Sequence, residues 1–372
     1  MLYLDHNATS FTEPKVKELM LSLMEGGLNP SSIHTQGRLG KKIIEKAREQ
    51  IANSVGIVIN LREYEIIFTS SGTESNNLIM KNYYDGDIFI AAIEHLSIYT
   101  HIKYAPNIKI IKVDNEGIIN LEELEKLLSQ SNNNKKLVSI MLANNETGVI
   151  QDIAAISKIT KKYGAALHSD CVQGLGRIPI NIKSLGLDFC TISGHKIGAG
   201  FGSSALIASS KNSLTPLTIG GGQEKNMRSG TENVLAIACF GLAAEIVTTE
   251  IADRCKKMKE LQELLEKYLS KYKNVKIIGQ SVLRLPNTSL IIVPKTDAQT
   301  KLIAFDLRGV YVSSGSACSS GKVSKSHVLN AMGLNEDEIS SSIRISLSHN
   351  QTQQDIKIFI EAFEEIYNQE LI

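Results

Sequence analysis

The chain has 372 residues, 42% of them hydrophobic and 21% charged, with a formal net charge of +1. That length supports a large core and two subdomains, and the near-neutral charge excludes the field expected for a nucleic-acid or anionic-membrane partner. The opening "MLYLDHNATS" lacks the basic end and apolar run of a secretory signal, and no apolar stretch reaches the ~20 residues of a membrane span, so a cytoplasmic location is expected.

Residues 37–55, "GRLGKKIIEKAREQIANSV", carry the periodicity of an amphipathic helix. "YEIIFTSSGTESNNLIMKNY" reads as a short strand, a Ser/Gly turn and a helix from about Thr73. "DIFIAAIEH" reads as an apolar strand ending at Glu94–His95, and "KLVSIMLANNETG" as one ending at Asn144–Asn145. "AALHSDCVQ" is expected to end at Asp170 and "FCTISGHK" at Lys196. Helical segments such as "LEELEKLLSQ" alternate with these strands, which predicts βαβ units and a mostly parallel sheet covered by helices on both faces. "SNNNKK", 131–136, is a polar surface loop. A long helical pattern runs from about 241 to 273 and leads out of the sheet. Beyond it, "VKIIG", "TSLIIV", "GVYVSS" and "SIRISL" predict short strands, and 351–369 a final helix. The expected division is a large domain over 13–250 and a smaller α+β domain made of 1–12 and 251–372.

Polar residues recur where the strands stop. Open α/β sheets bind ligands beyond the carboxyl ends of their strands, so Thr73, His95, Asn145, Asp170 and Lys196 are expected to meet in one place.

The five cysteines are widely spaced, with no CxxC pair, which argues against a disulfide framework or a structural metal site. Cys190 and Cys239 sit among apolar residues and read as core. Cys255 reads as incidental on a helix surface. Cys318 differs, because "SSGSACSSG", 313–321, holds nothing able to build a core. It reads as a mobile loop carrying a thiol.

Four motifs offer chemistry, each with a plainer alternative. In "SGTE", 71–74, Gly72 and Thr73 suit an anion at a helix N-terminus, or simply a cap. In "SGHK", 193–196, Lys196 suits a Schiff base with an aldehyde cofactor, or is a surface lysine. Asp170 in "HSDCVQ" suits a protonated pyridine nitrogen, or a salt bridge. "GGGQEKNMRSGTEN", 220–233, offers Arg228, Ser229 and Thr231 to a phosphate, or is a flexible surface loop.

The order of these motifs resembles the fold-type I pyridoxal-phosphate enzymes. With "YLDHNAT", "NPSSIHTQGR", "TSSGTESNN", "ANNETGVIQDI", "SSGSACSSG" and "RISL" added, the chain resembles the cysteine desulfurases of the class V aminotransferase-like group, from residue 3 to residue 347. The Cys loop resembles that of the nitrogen-fixation and iron–sulfur-cluster type. The resemblance implies an enzyme that uses pyridoxal 5'-phosphate to take sulfur from L-cysteine. L-alanine is released, and a persulfide on Cys318 passes to an acceptor such as an iron–sulfur scaffold or to tRNA thiolation.

The resemblance also implies residue roles. Lys196 bonds the cofactor aldehyde, Asp170 pairs with the ring nitrogen, and Gln173 meets the ring's phenolic oxygen. His95 stacks on the ring and moves protons. Gly72, Thr73, Ser193 and His195 bind the phosphate, with Thr231 reaching in from the second subunit of a homodimer. Asn145 and Arg344 hold the substrate carboxylate, and no metal is implied. Two departures stand out: "GAGFGSS", 198–204, replaces the usual Pro-Lys-Gly element, and Cys171 stands where a small residue such as Ala is usual. The alternative reading is a selenocysteine lyase or another enzyme of the same group, which would not need Cys318.

Overall fold

The computed structural model describes residues 1–58, 63–293, 296–315 and 325–367. Strand β1 (Leu2–Tyr3) opens the chain. Seven strands follow: β2 (Tyr64–Thr69), β3 (Asp87–Ala91), β4 (Ile108–Ile111), β5 (Lys136–Ser139), β6 (Ala166–Asp170), β7 (Phe189–Ser193) and β8 (Ser204–Ser209). The last five are β9 (Lys276–Ile277), β10 (Thr288–Ile292), β11 (Val310–Tyr311), β12 (Ser313–Ser314) and β13 (Ser342–Ser346).

Strands β2 to β8 form one seven-stranded sheet in the order β2-β8-β7-β6-β5-β3-β4. Only β8 runs against the other six. Side chains along a strand point alternately to opposite faces, and here both faces are core. Phe89, Val138, Cys190, Ile192 and Ile207 enter one core, while Ile88, Ile90, Leu137, Phe189 and Leu206 enter the other. This is the mostly parallel α/β sheet the sequence predicts.

The helix Thr35–Ser54 buries Ile44, Ala47 and Ile51 at helical spacing and packs along the helix Val234–Thr249. Gly241 permits the close approach: a Cβ there would lie 2.6 Å from Ala47 Cα. Arg48, on the same helix, forks onto the Glu224 carboxylate at 3.0 and 2.9 Å, and Glu224 also accepts the Phe68 N–H at 2.8 Å. The glycine-rich stretch 220–233 is therefore anchored by a buried ion pair rather than loose on the surface.

The long helical pattern expected over 241–273 is two helices, Val234–Thr249 and Ile251–Leu269, bent by 71° at their junction. The first is apolar nearly all round and packs inside the large core. The second is charged except for the stripe Met258, Leu261, Leu265 and Leu269, most of which faces a separate core. A change from all-round to one-sided burial requires the axis to leave the interior. Among the described residues no single helix is long and apolar enough to cross a membrane.

The separate core is built around the four-stranded sheet β12-β13-β10-β9 and the helix Gln353–Tyr367. Phe305, Phe359, Phe363 and Tyr367 fill it together with Leu2 and Leu4 from the N-terminus. β1 pairs in parallel with β11, and Asp5 bridges to Ser346. The N-terminal segment thus pairs with C-terminal elements.

Candidate active site

The chain's strand-end residues converge on a cavity of about 490 Å³ beyond the carboxyl ends of the parallel strands. Gly72, Thr73, His95, Asn145 and Asp170 line it. So do Gln173, Ser193, His195, Lys196 and Arg344. Thr231 does not; it is exposed in the segment before the helix Val234–Thr249. Cys318 lies outside the described residues, whereas Ser313, five positions before it, lines the cavity.

Three local expectations need correction. His95 is not a strand end: β3 stops at Ala91, and His95 caps the short helix Leu96–Tyr99. β5 stops at Ser139, and Asn145 lies in a turn beyond it. There the Asn144 side chain accepts the N–H groups of Glu146 and Thr147. β7 stops at Ser193, so Lys196 lies beyond its strand at the end of a 3₁₀ turn. The helix expected from about Thr73 does begin there, at Gly72, capped by the Ser71 hydroxyl.

Lys196 ends a single 3₁₀ turn, Gly194–Lys196, directly after β7. Its Nζ donates to the backbone carbonyls of Asn7 and Ala8, so the N-terminal segment, not a carboxylate, holds the amine. Burial pushes its pKa down to about 7, with the guanidinium groups of Arg177 and Arg344 adding to the effect and Asp5 and Asp170 opposing it. Near neutrality much of this lysine is therefore the nucleophilic free amine.

Asp170, the last residue of β6, accepts from Asn76 Nδ2 at 2.8 Å and from the Val172 N–H at 3.0 Å. Asn76 also donates to Ser97 Oγ at 2.8 Å, and Ser97 Oγ meets His95 Nδ1 at 2.8 Å. The Ser97 N–H points at the same nitrogen, at 3.2 Å, which makes Nδ1 the acceptor and leaves the ring proton on Nε2. Burial lowers the pKa of His95, against the pull of Asp170 and with the push of Lys196, so the ring rests neutral. Burial likewise brings His195 down to about 4.

Gln173 donates from Nε2 to the Asn7 carbonyl at 3.1 Å and accepts from Arg177 at 2.9 Å. Ser204 donates to Ser193 Oγ at 2.7 Å. Arg344, on β13, donates to the Asn145 carbonyl at 3.0 Å and to Asp5 Oδ1 at 2.7 Å. Asn76 Oδ1, Asn145 Oδ1 and Arg344 Nε are buried with no hydrogen-bond partner among the described residues. Native interiors rarely leave such atoms unpaired, so three of them around one cavity mark a place for polar ligand groups.

Sequence reasoning missed Asn7, Ala8, Asn76 and Ser97 as parts of the site. The first two stand in the quoted "YLDHNAT", but nothing local says that their carbonyls cross to Lys196. Asn76 lies one helical turn past Gly72, on the face turned to β6, a position legible only once the helix is seated. Of the cysteines, Cys190 and Cys239 are core residues and Cys171 packs beside them, fully buried. Cys255 is not incidental: it is half-buried, and its Sγ meets the Arg177 carbonyl at 2.8 Å.

Comparison with known proteins places this arrangement. The aminotransferase class-V family matches residues 2–359. A cysteine desulfurase of Trichormus azollae is 39% identical over 377 aligned residues, covering 98% of this chain and 92% of that one. The cysteine desulfurase IscS of Dictyoglomus turgidum is 36% identical, covering 98% and 94%. Among solved structures, a NifS-like protein from Rickettsia africae superposes with a TM-score of 0.96 at 64% identity, covering 99% of both chains. A family match over nearly the whole chain, together with relatives well above 30% identity, leads to one conclusion: the chain belongs to the class-V aminotransferase family and, within it, to the cysteine desulfurases.

Proposed function

We propose that this protein is a pyridoxal 5'-phosphate-dependent L-cysteine desulfurase. It removes sulfur from L-cysteine, releases L-alanine and leaves a persulfide on Cys318 for an acceptor. The observation that carries this reading is the buried Lys196 amine sharing one cavity with Asp170, Gln173, His95 and Arg344.

The residues present fit the cofactor. A Cβ at position 72 would approach Val172 Cγ2 to 3.3 Å, so Gly72 keeps the helix N-terminus bare for a phosphate. Asp170 is held by two donors and still has lone pairs for a ring N–H. When bound, pyridoxal phosphate supplies an aldehyde that condenses with amines and a ring that draws electrons from the substrate.

The chain's own residues do the rest. Lys196 would hold the cofactor through its amine. Asp170, fixed by Asn76, would bond the ring nitrogen, and Gln173 the phenolic oxygen. Gly72, Thr73, Ser193 and His195 would bind the phosphate, with Thr231 supplied by the second subunit of a homodimer. His95 would accept at Nδ1 the hydrogen bond of the Ser97 hydroxyl, which Asn76 orients, and so would present its Nε2 proton to the reacting atoms. Arg344 and Asn145 would take the substrate carboxylate, Arg344 exchanging its bond to Asp5 for it. Cys318, as a thiolate, forms the new S–S bond to the substrate sulfur. The substrate Cβ–S bond breaks with its electron pair on the carbon side, and protonation there gives alanine. Residues 13–250 would form the cofactor-binding domain, with 1–12 and 251–372 the smaller one. The protein is proposed to act in the cytoplasm, with an iron–sulfur scaffold or a tRNA-thiolation protein as acceptor.

The test supplies labelled L-cysteine to the purified protein and follows alanine and the mass of the Cys318 peptide. Equimolar persulfide and alanine in a single turnover is expected, and Cys318→Ser should keep bound cofactor but form no persulfide. Alanine formation by Cys318→Ser at the wild-type rate would show that position 318 is not the sulfur carrier and would favour the lyase reading.

A further inference from the structure

Arg177 follows β6 and is buried, with 4% exposure. The other three buried arginines each hold a carboxylate: Arg48 with Glu224, Arg254 with Glu13 and Glu250, Arg344 with Asp5. Arg177 holds none among the described residues. Its Nη1 donates to the Gln173 carbonyl at 3.0 Å and to Gln173 Oε1 at 2.9 Å, and its Nη2 to the His6 carbonyl at 2.8 Å. A buried charge without a counter-charge is costly, and the fold keeps this one at the edge of the site. Arg177 and Lys196 also line one second cavity, of about 350 Å³, which shares the lysine with the main one.

The hydrogen bonds run in one direction. A guanidinium only donates, so Gln173 Oε1 must face Arg177 and Nε2 must face the Asn7 carbonyl. That carbonyl is also an acceptor for Lys196 Nζ. Arg177, Gln173, Asn7 and Lys196 thus form one connected row.

We propose that Arg177 is a positioning residue for the reaction: it fixes the Gln173 amide and keeps an unneutralised positive charge beside Lys196. Its purpose rests on the desulfurase reading, whereas its test does not need the cofactor. The electrostatics agree with the geometry. After burial, Arg177 is the largest influence holding the Lys196 pKa down, ahead of Arg344, and it also depresses His6 and His195. The opposing charges facing Lys196 are Asp5 and Asp170, and His95 faces it as a neutral ring.

The experiment uses the full chain prepared without cofactor and measures acetylation of Lys196 by acetic anhydride against pH, read by peptide mass spectrometry. Wild type should label with a midpoint near neutrality. Arg177→Gln, which keeps donors but loses the charge, should label roughly tenfold more slowly at neutral pH. Arg177→Lys, which keeps the charge, should stay within about twofold of wild type. Wild-type labelling in Arg177→Gln, or a tenfold fall in Arg177→Lys, overturns the proposal. Should Arg177→Gln prove insoluble, Arg177→Met takes its place, with the same tenfold fall expected and wild-type labelling overturning the proposal. If Lys196 behaves as expected but cysteine yields neither alanine nor persulfide, the desulfurase reading fails and the charge effect on Lys196 stands.

Discussion

Glu146 is a buried carboxyl whose one side-chain donor is the Ser326 hydroxyl, and Arg344 is the charge that acts on it. Burial outweighs both and raises its pKa from the ordinary 4.5 to about 7. The unfolded chain therefore releases this proton first. Glu146's contribution to stability is full below about pH 4.5 and is lost as pH rises through about 7. A difference of that size is worth about 3 kcal/mol. Glu146→Gln keeps the shape and the acceptor for Ser326, abolishes the titration, and adds an amide N–H₂ costing about 1–2 kcal/mol at every pH. The variant should be less stable than wild type near pH 4.5 and more stable by about 1–2 kcal/mol near pH 8, so the two curves cross. The assay is urea unfolding of both proteins at the two pH values. It is followed by far-UV circular dichroism, because the chain has no tryptophan. Glu94 shifts in the same direction, so the difference between the proteins, not either slope alone, isolates Glu146. Parallel stability curves over this range would refute the argument that burial governs this carboxyl.

Glu224→Ala strands the buried Arg48 guanidinium and should cost about 3–5 kcal/mol, read as a lower urea midpoint. Gly241→Ala forces a methyl against the Ala47 backbone and should cost about 1–3 kcal/mol, read as a lower melting temperature with cofactor content unchanged. Arg344→Ala should lower kcat/KM for cysteine roughly 100-fold, chiefly through KM, with the cofactor still bound. A fall confined to kcat would show that Arg344 acts on the chemical step instead of on substrate capture.

The central sheet was legible because its signal is local. Runs such as Ile88–Ile90 and Phe189–Ile192 are apolar on both faces, and the polar residue that ends each run marks the sheet's carboxyl edge. Asp170 could be placed on that edge because it ends its strand, and Lys196 because only a single 3₁₀ turn separates it from β7. His95 and Asn145 were read one element too early. "AAIEH" and "IMLANN" stay apolar after the last ladder bond, and burial in a turn leaves the same pattern as burial in a strand. The bend at Glu250 was hidden for a related reason. No Gly or Pro marks it, and the chain turns there only because one helix is wrapped by protein and the next is not. Asn7 and Arg177 were invisible as site residues, since their contacts with Lys196 and Gln173 depend on how distant segments dock.

The pairing of Leu2 with Val310 and of Asp5 with Ser346 has a consequence for biosynthesis. The carbonyls that receive the Lys196 amine are translated before the central sheet, yet the strands that dock them are translated after it. Between β8 and β13 the nascent chain carries the central sheet with an unclosed pocket and an N-terminal segment that has not yet docked. A chaperone or an early cofactor that shelters this half-built cleft would act on every molecule made.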